Sequence, residues 1–252
     1  MGWGDDLMYL GQVQAQNTPV RPTRKTRPRT ISALWQHEQL ISTQHTLTLD
    51  EMQLNTDGKW KRPYHHSFGK HTPIAGKVHL TEQEHELAEE YKDFILLCPD
   101  AKTNAHHAQN KLWPHWQTLA TQLNTQYPDI PLLRLKHNEE LKDLNTVTNV
   151  MTHSIRHSYA IVKNARCVIT TDGFYHHASA SHNTKCIVIY GSCTSPRHLG
   201  YPGQLNIVVN DAHSPCYTIH ENCEQCKHNM NSIRAEHIVE QLEQYLNLKQ
   251  AN

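Results

Sequence analysis

The run Thr170-Thr-Asp-Gly-Phe-Tyr-His-His177 places two threonine hydroxyls, a carboxylate, a glycine, a phenol and two imidazoles within eight residues. It lies between an apolar segment and the small residues Ala178, Ser179 and Ala180. If the apolar segment is a strand, its carboxyl end meets the N-terminus of a helix starting near Phe174. Unpaired N–H groups and the helix dipole favour an anion at such an end. Gly173 lets backbone approach a ligand, and a histidine in the first turn can donate to phosphate oxygens. The competing reading makes Asp172 a helix cap and the histidines surface residues, because strand–turn–helix junctions are common in α/β folds.

Three other places hold residues able to do chemistry. Lys111, in Asn110-Lys-Leu-Trp-Pro-His-Trp116, stands near an expected helix start, where a cation opposes the dipole unless it meets a bound phosphate. Trp113 and Trp116 read as core rather than as stacking platforms. Gly2-Trp-Gly-Asp-Asp6 puts glycines and carboxylates at a helix start, which suits a backbone close to a sugar and Asp5 as a general base. Asp5 as a plain N-cap is an equal alternative. Cys216, Cys223, Cys226 and His228 carry the donor atoms of a zinc site. His228 follows Cys226 by only two residues, against the usual spacing, so a thiol-lined loop without metal is expected.

These residues need a scaffold, and the chain supplies strand and helix patterns in alternation from residue 94. The continuous apolar run at 94–98 predicts a strand buried on both faces, and 131–135, 147–151, 167–170, 186–190 and 205–209 read as further strands. Helical spacing predicts helices over 110–127, 154–164, from 174, and over 233–248, the last strongly amphipathic. Alternation of this kind calls for a parallel, doubly wound sheet, with ligands beyond the carboxyl ends of its strands. Residues 1–93 give a helix near Asp5, a Pro- and Arg-rich segment at 19–29, a loop-like stretch at 55–76 and a helix over 80–91 capped by Thr81. They hold too few strands for a second full sheet. The expected division is therefore 1–93 and 94–252.

The 252 residues include 24 basic and 24 acidic side chains, so no net field favours nucleic acid or a membrane. The basic run at 21–29 reads as a solvated loop. Twenty-one histidines would make the chain cationic near pH 5–6. No apolar run approaches a membrane span, and the N-terminus has no signal-like core, so the expected setting is soluble and cytoplasmic. Cys98, Cys167 and Cys186 sit in apolar runs and read as buried thiols.

The segments together resemble glycosyltransferase family 9, typified by the lipopolysaccharide heptosyltransferases. Thr170-Thr-Asp-Gly-Phe-Tyr-His-His-Ala-Ser-Ala180, followed by Cys186-Ile-Val-Ile-Tyr-Gly191, is similar to the family's donor-binding junction. Asn110-Lys-Leu-Trp-Pro114 resembles its Lys-x-Trp-Pro motif, Gly4-Asp-Asp-Leu-Met8 its N-terminal Gly-Asp motif, and Pro215-Cys216 with Cys223-x-x-Cys226 its C-terminal end. The family's Asp-Thr-Gly order appears here as Thr171-Asp172-Gly173, with the acid shifted by one position.

The resemblance implies a GT-B fold of two Rossmann-like domains, the N-terminal, acceptor-side one reduced here and the C-terminal one binding a nucleotide sugar. It implies an inverting transfer from a nucleotide-diphosphate donor, such as ADP-heptose, to a glycan, lipid-linked glycan or lipopolysaccharide-type acceptor, with no cofactor beyond the donor. Asp5 would be the catalytic base; Lys111, Thr171, Asp172, Gly173, His176 and His177 would line the donor, with His176 ahead of His177 on the diphosphate. From their position after the strand at 131–135, and not from the resemblance, Glu139 or Glu140 would reach the ribose. The rival readings are an inactive nucleotide-sugar-binding module and a zinc-stabilised interaction protein built on Cys216, Cys223 and Cys226.

Overall fold

Phe94–Cys98 forms β1, with every side chain buried. Its odd and even residues divide between two cores: Phe94, Leu96 and Cys98 enter one, Ile95 and Leu97 the other. That division is the period-2 alternation of a strand covered on both faces. The structure, a computed structural model, describes residues 3–22, 32–45, 47, 73–100, 109–192, 194–209, 215–216 and 222–248. Most of the basic run at 21–29 and of the loop-like stretch at 55–76 lies outside the described residues.

Before β1 come α1 (Trp3–Gln16), a single 3-10 turn (Ala33–Trp35) and α2 (Glu82–Ala88). After it follow α3 (Trp116–Gln126), β2 (Leu132–Lys136), β3 (Thr148–Met151), α4 (Ile155–Val162), β4 (Ala165–Thr171) and α5 (Phe174–His182). The chain continues through β5 (Cys186–Tyr190), α6 (Pro196–Leu199), β6 (Leu205–Val208), α7 (Glu224–Ser232) and α8 (Ala235–Leu246). All six expected strands form and join one sheet in the order β3-β2-β1-β4-β5-β6, every neighbour parallel. This is the doubly wound order, with the topological switch between β1 and β4.

One face is covered by α1, α4 and α5, the other by α3, α7 and α8. α1 lies on α5, and its Leu7, Leu10 and Val13 are fully buried in the same core as Phe94, Leu96 and Val168. Each such side chain contributes about 1.5–3 kcal/mol by burial. The 73–80 segment crosses α1 at contact distance because both chains carry glycine there. A Cβ on Gly11 would lie 2.1 Å from the Ile74 oxygen, and one on Gly76 would lie 2.5 Å from the Leu10 Cβ. Below the crossing, the Tyr159 hydroxyl lies 2.5 Å from the Ser181 Oγ, which donates to the Gly76 carbonyl at 2.6 Å.

Local signals account for the helix starts. The Thr81 hydroxyl accepts from the Glu84 N–H while Glu84 accepts from the Thr81 N–H, a reciprocal cap for α2. Glu84 also receives both ends of the buried Arg156 guanidinium, at 2.6 and 2.7 Å, and Arg156 donates further to the carbonyls of Ala33 and His79. One side chain of α4 thereby ties α2, the 3-10 turn and the 73–80 segment to the sheet. Two helices differ from expectation. The helix expected over 110–127 begins at Trp116, since Pro114 and its neighbours form turns. α7 was not expected, because its sequence Glu-Gln-Cys-Lys-His-Asn-Met-Asn-Ser is polar almost all round.

Candidate functional site at the β4–α5 junction

β4 ends at Thr171, and α5 begins at Phe174 with Gly173 as its N-cap. The first N–H groups of a helix have no intrahelical acceptor, and those of α5 open beside the β1/β4 switch. Gly173 has φ 175°, an extended conformation open to any residue, so its lack of a side chain is not explained by backbone strain. Nor does crowding explain it: among the described residues, a Cβ there would meet nothing nearer than the Thr171 oxygen at 4.0 Å. Among the described residues, the space in front of Gly173 is open.

Asp172 is 3% exposed. Its Oδ2 accepts from the Lys111 ammonium at 2.6 Å and from the Thr194 hydroxyl at 2.5 Å, while its buried Oδ1 has no partner. Lys111 also reaches the Asp172 carbonyl, at 3.4 Å. The expected cation therefore does stand at the junction, held there by the shifted acid. It sits in the turn before α3, not in the helix itself.

The two histidines differ from expectation. Nδ1 of the fully buried His176 accepts the Gly173 N–H at 2.9 Å, and its Nε2 lies 3.0 Å from the Leu199 carbonyl, so Nε2 carries the hydrogen. Burial depresses its pKa to about 4, which keeps the ring neutral. Both nitrogens are spent on backbone, so His176 shapes the turn and does not present a donor to a diphosphate. His177 stacks on it, ring centroids 3.8 Å apart, and its Nδ1 lies 2.7 Å from the Tyr201 hydroxyl. Thr171 is buried at the end of β4.

α1 reaches the same place. A Cβ on Gly4 would lie 2.5 Å from Cδ2 of His177 and 3.6 Å from the Gly173 carbonyl carbon. Asp5, the next residue, is thus carried to the junction by an intimate helix contact. It lies within the first turn of α1 rather than at a cap, a position the dipole favours for a carboxylate.

Sequence reasoning missed three contributors: Thr194, Tyr201 and the buried ion pair of Arg134 with Asp100, 2.7 Å, just past the end of β1. Arg134 carried a signal, since a charge inside an apolar strand needs a partner. Glu139 and Glu140 are exposed beyond β2, and Trp113 and Trp116 are core, as expected. Away from the junction, Cys216, Cys223 and Cys226 converge, with all three sulfurs within 4.8 Å of one another; His228 is exposed and outside this group. The strand cysteines are buried thiols, and burial pushes Cys186 up to about 12. No helix among the described residues is long and apolar enough to cross a membrane.

Comparison with solved structures gives the same architecture. An E. coli ADP-heptose LPS heptosyltransferase II shares 15% identity, with 70% of this chain and 55% of that chain covered at a TM-score of 0.50. The family 9 glycosyltransferase of Veillonella parvula shares 13%, with the same coverage and a TM-score of 0.51. At such identity the likeness is one of fold, and this chain spans about half the length of these proteins. No curated protein sequence matches it. The sequence model of glycosyltransferase family 9 (heptosyltransferase) does match, over residues 60–232, from ahead of β1 to the end of α7. With more than half of its length so matched and the heptosyltransferase sheet in place, the chain belongs to glycosyltransferase family 9.

Proposed function

We propose that this chain is an inverting glycosyltransferase drawing a sugar from a nucleotide-diphosphate donor, with ADP-heptose, named for the E. coli relative, as the leading donor. The acceptor is a glycan hydroxyl of the lipopolysaccharide type. Residues 1–93 supply the acceptor side and 94–252 the donor side. The observation that carries this reading is the helix N-terminus at Gly173, open among the described residues and flanked by Lys111 and by the α1 turn that holds Asp5.

In this mechanism the donor diphosphate lies along the first turn of α5. Lys111 and the N–H groups of that turn meet the negative charge that grows on the leaving diphosphate. Asp172 keeps the ammonium at the mouth of the junction before the donor arrives, and the diphosphate then competes for it. His176, neutral and locked to Gly173 and Leu199, fixes the turn; His177 joins that turn to α1. Asp5, ionised, removes the proton from the acceptor hydroxyl as its oxygen attacks the anomeric carbon opposite the leaving group. The C–O bond to the diphosphate breaks, and inversion follows from this single displacement.

Calorimetric titration with ADP, UDP, GDP and CDP tests the reading. Wild type should select one nucleotide, and Lys111→Ala should weaken it by about 1–3 kcal/mol, the worth of a charge-assisted contact. Asp5→Asn should leave that binding intact while abolishing sugar transfer. Well-folded protein that binds none of the four would overturn the reading.

A further inference from the structure

We infer that Cys216, Cys223 and Cys226 form a binding site for a thiolate-favouring divalent transition metal, Zn²⁺ foremost. The three sulfurs come from separate places: Cys216 lies beyond β6, Cys223 is the N-cap of α7, and Cys226 is in its first turn. Their atoms nevertheless lie within 4.8 Å of one another, with Cys216 and Cys226 sulfurs 3.1 Å apart. Tetrahedral zinc with Zn–S bonds of about 2.3 Å needs sulfurs about 3.8 Å apart. The observed cluster sits around that spacing, well outside a covalent S–S bond of about 2.05 Å. Shifts of under about an ångström complete three corners of the tetrahedron.

The backbone is arranged for the same purpose. The Cys226 N–H points at the Cys223 sulfur at 3.3 Å, the N–H···S turn that a Cys-x-x-Cys pair makes when both sulfurs face one ion. The Cys223 N–H is fixed by the Oδ1 of fully buried Asn110 at 2.9 Å, and the Cys216 N–H reaches the Ser192 carbonyl at 3.4 Å. A disulfide would use two sulfurs and leave the third crowded against it; a divalent ion uses all three and offsets their mutual repulsion. His228 is not the fourth ligand, since two helical positions from Cys226 places it on the far side of α7. Among the described residues the three cysteines are the ligand set.

The location gives the ion a consequence distinct from catalysis. Asn110 precedes Lys111, and Ser192 stands two residues before Thr194, so the cluster grips both segments that hold Asp172. An ion here clamps the two sides of the β4–α5 junction from behind.

The test uses the full chain purified under reducing conditions without chelator, its metal content read by plasma mass spectrometry. Expected is about one zinc per chain, falling below about a tenth of that in Cys223→Ser and Cys226→Ser and unchanged in Cys98→Ser. Cobalt added to stripped wild type should give thiolate-to-cobalt charge transfer with intense tetrahedral d–d bands, a reading that stands even if the serine variants fail to fold. Metal-free protein with no charge transfer on cobalt addition, full zinc content in both serine variants, or a Cys216–Cys226 disulfide in reduced-buffer preparations would each overturn the site. None of these readouts depends on nucleotide binding, so the outcome is separate from that of the proposed transfer reaction.

Discussion

Two glycines face each other across the junction, and adding one methyl to each should have opposite effects. At Gly4 the new carbon would lie 2.5 Å from Cδ2 of His177, about 1 Å inside an ordinary carbon contact. The ring cannot yield, since Tyr201 holds it at 2.7 Å and His176 stacks on it. α1 must therefore move. Overpacking of this size costs about 1–3 kcal/mol, offset by up to about 1 kcal/mol for replacing glycine in a helix. Gly4→Ala should thus lose about 1–2 kcal/mol, or a few degrees in Tm. At Gly173 the methyl meets no described atom nearer than 4.0 Å and an extended backbone, so Gly173→Ala should keep its stability within about 0.5 kcal/mol. The same methyl would occupy the space assigned to the diphosphate and should weaken the selected nucleotide about tenfold or more. Urea unfolding followed by tryptophan fluorescence, with calorimetric titration of the folded variants, reads both. Wild-type nucleotide affinity in Gly173→Ala would refute the placement of the diphosphate; unchanged stability in Gly4→Ala would refute the close docking of α1.

The Lys111–Asp172 pair, with side chains 15% and 1% exposed, should show strong coupling. Lys111→Met strands a buried carboxylate and should cost about 3–5 kcal/mol, whereas Lys111→Met combined with Asp172→Asn should cost clearly less; additivity in a double-mutant cycle by urea unfolding would contradict the pairing. Acid should act in two stages. Burial depresses His176 and His182 from 6.5 to about 4, so the unfolded chain takes up protons first. Their contribution is full above pH 6.5 and declines toward pH 4, by about 2 kcal/mol each at pH 5. Glu84, lowered to about 2 chiefly by its hydrogen bond with Arg156, then loses its contribution between about pH 4.5 and 2. Its side chain is 20% exposed, and solvent screening holds this to about 1–2 kcal/mol. Unfolding midpoints equal at pH 7 and pH 5 would contradict the first stage.

The centre of the sheet was readable because β1 and β5 are unbroken apolar runs and β4 holds one at Cys167-Val-Ile169, as parallel strands covered on both faces require. Lys111 and Asp172 were readable as types but not as partners, since 61 residues separate them and nothing local joins them. His176 looked like a ligand contact because its sequence neighbours reveal nothing of Leu199, the carbonyl that takes its second nitrogen. α7 was invisible for a related reason. It buries Cys226, Asn229 and Met230 only, too narrow a stripe to set a period, and its start is defined by a cysteine cap rather than by a hydroxyl or carboxylate. The polar contacts that build the junction are tertiary, and composition holds no record of them.

The docking of α1 on α5 also sets an order of events at the ribosome. Leu7, Leu10 and Val13 leave the exit tunnel early, but their cover, beginning at Phe174, follows roughly 10–30 s later at about 5–20 residues per second. Through that interval the first helix carries an apolar stripe without its cover from α5, and β1 waits for β4 for roughly 4–14 s at the same rate. A nascent chain of this design is a natural client for a holding chaperone. Its earliest segment joins the fold among the last.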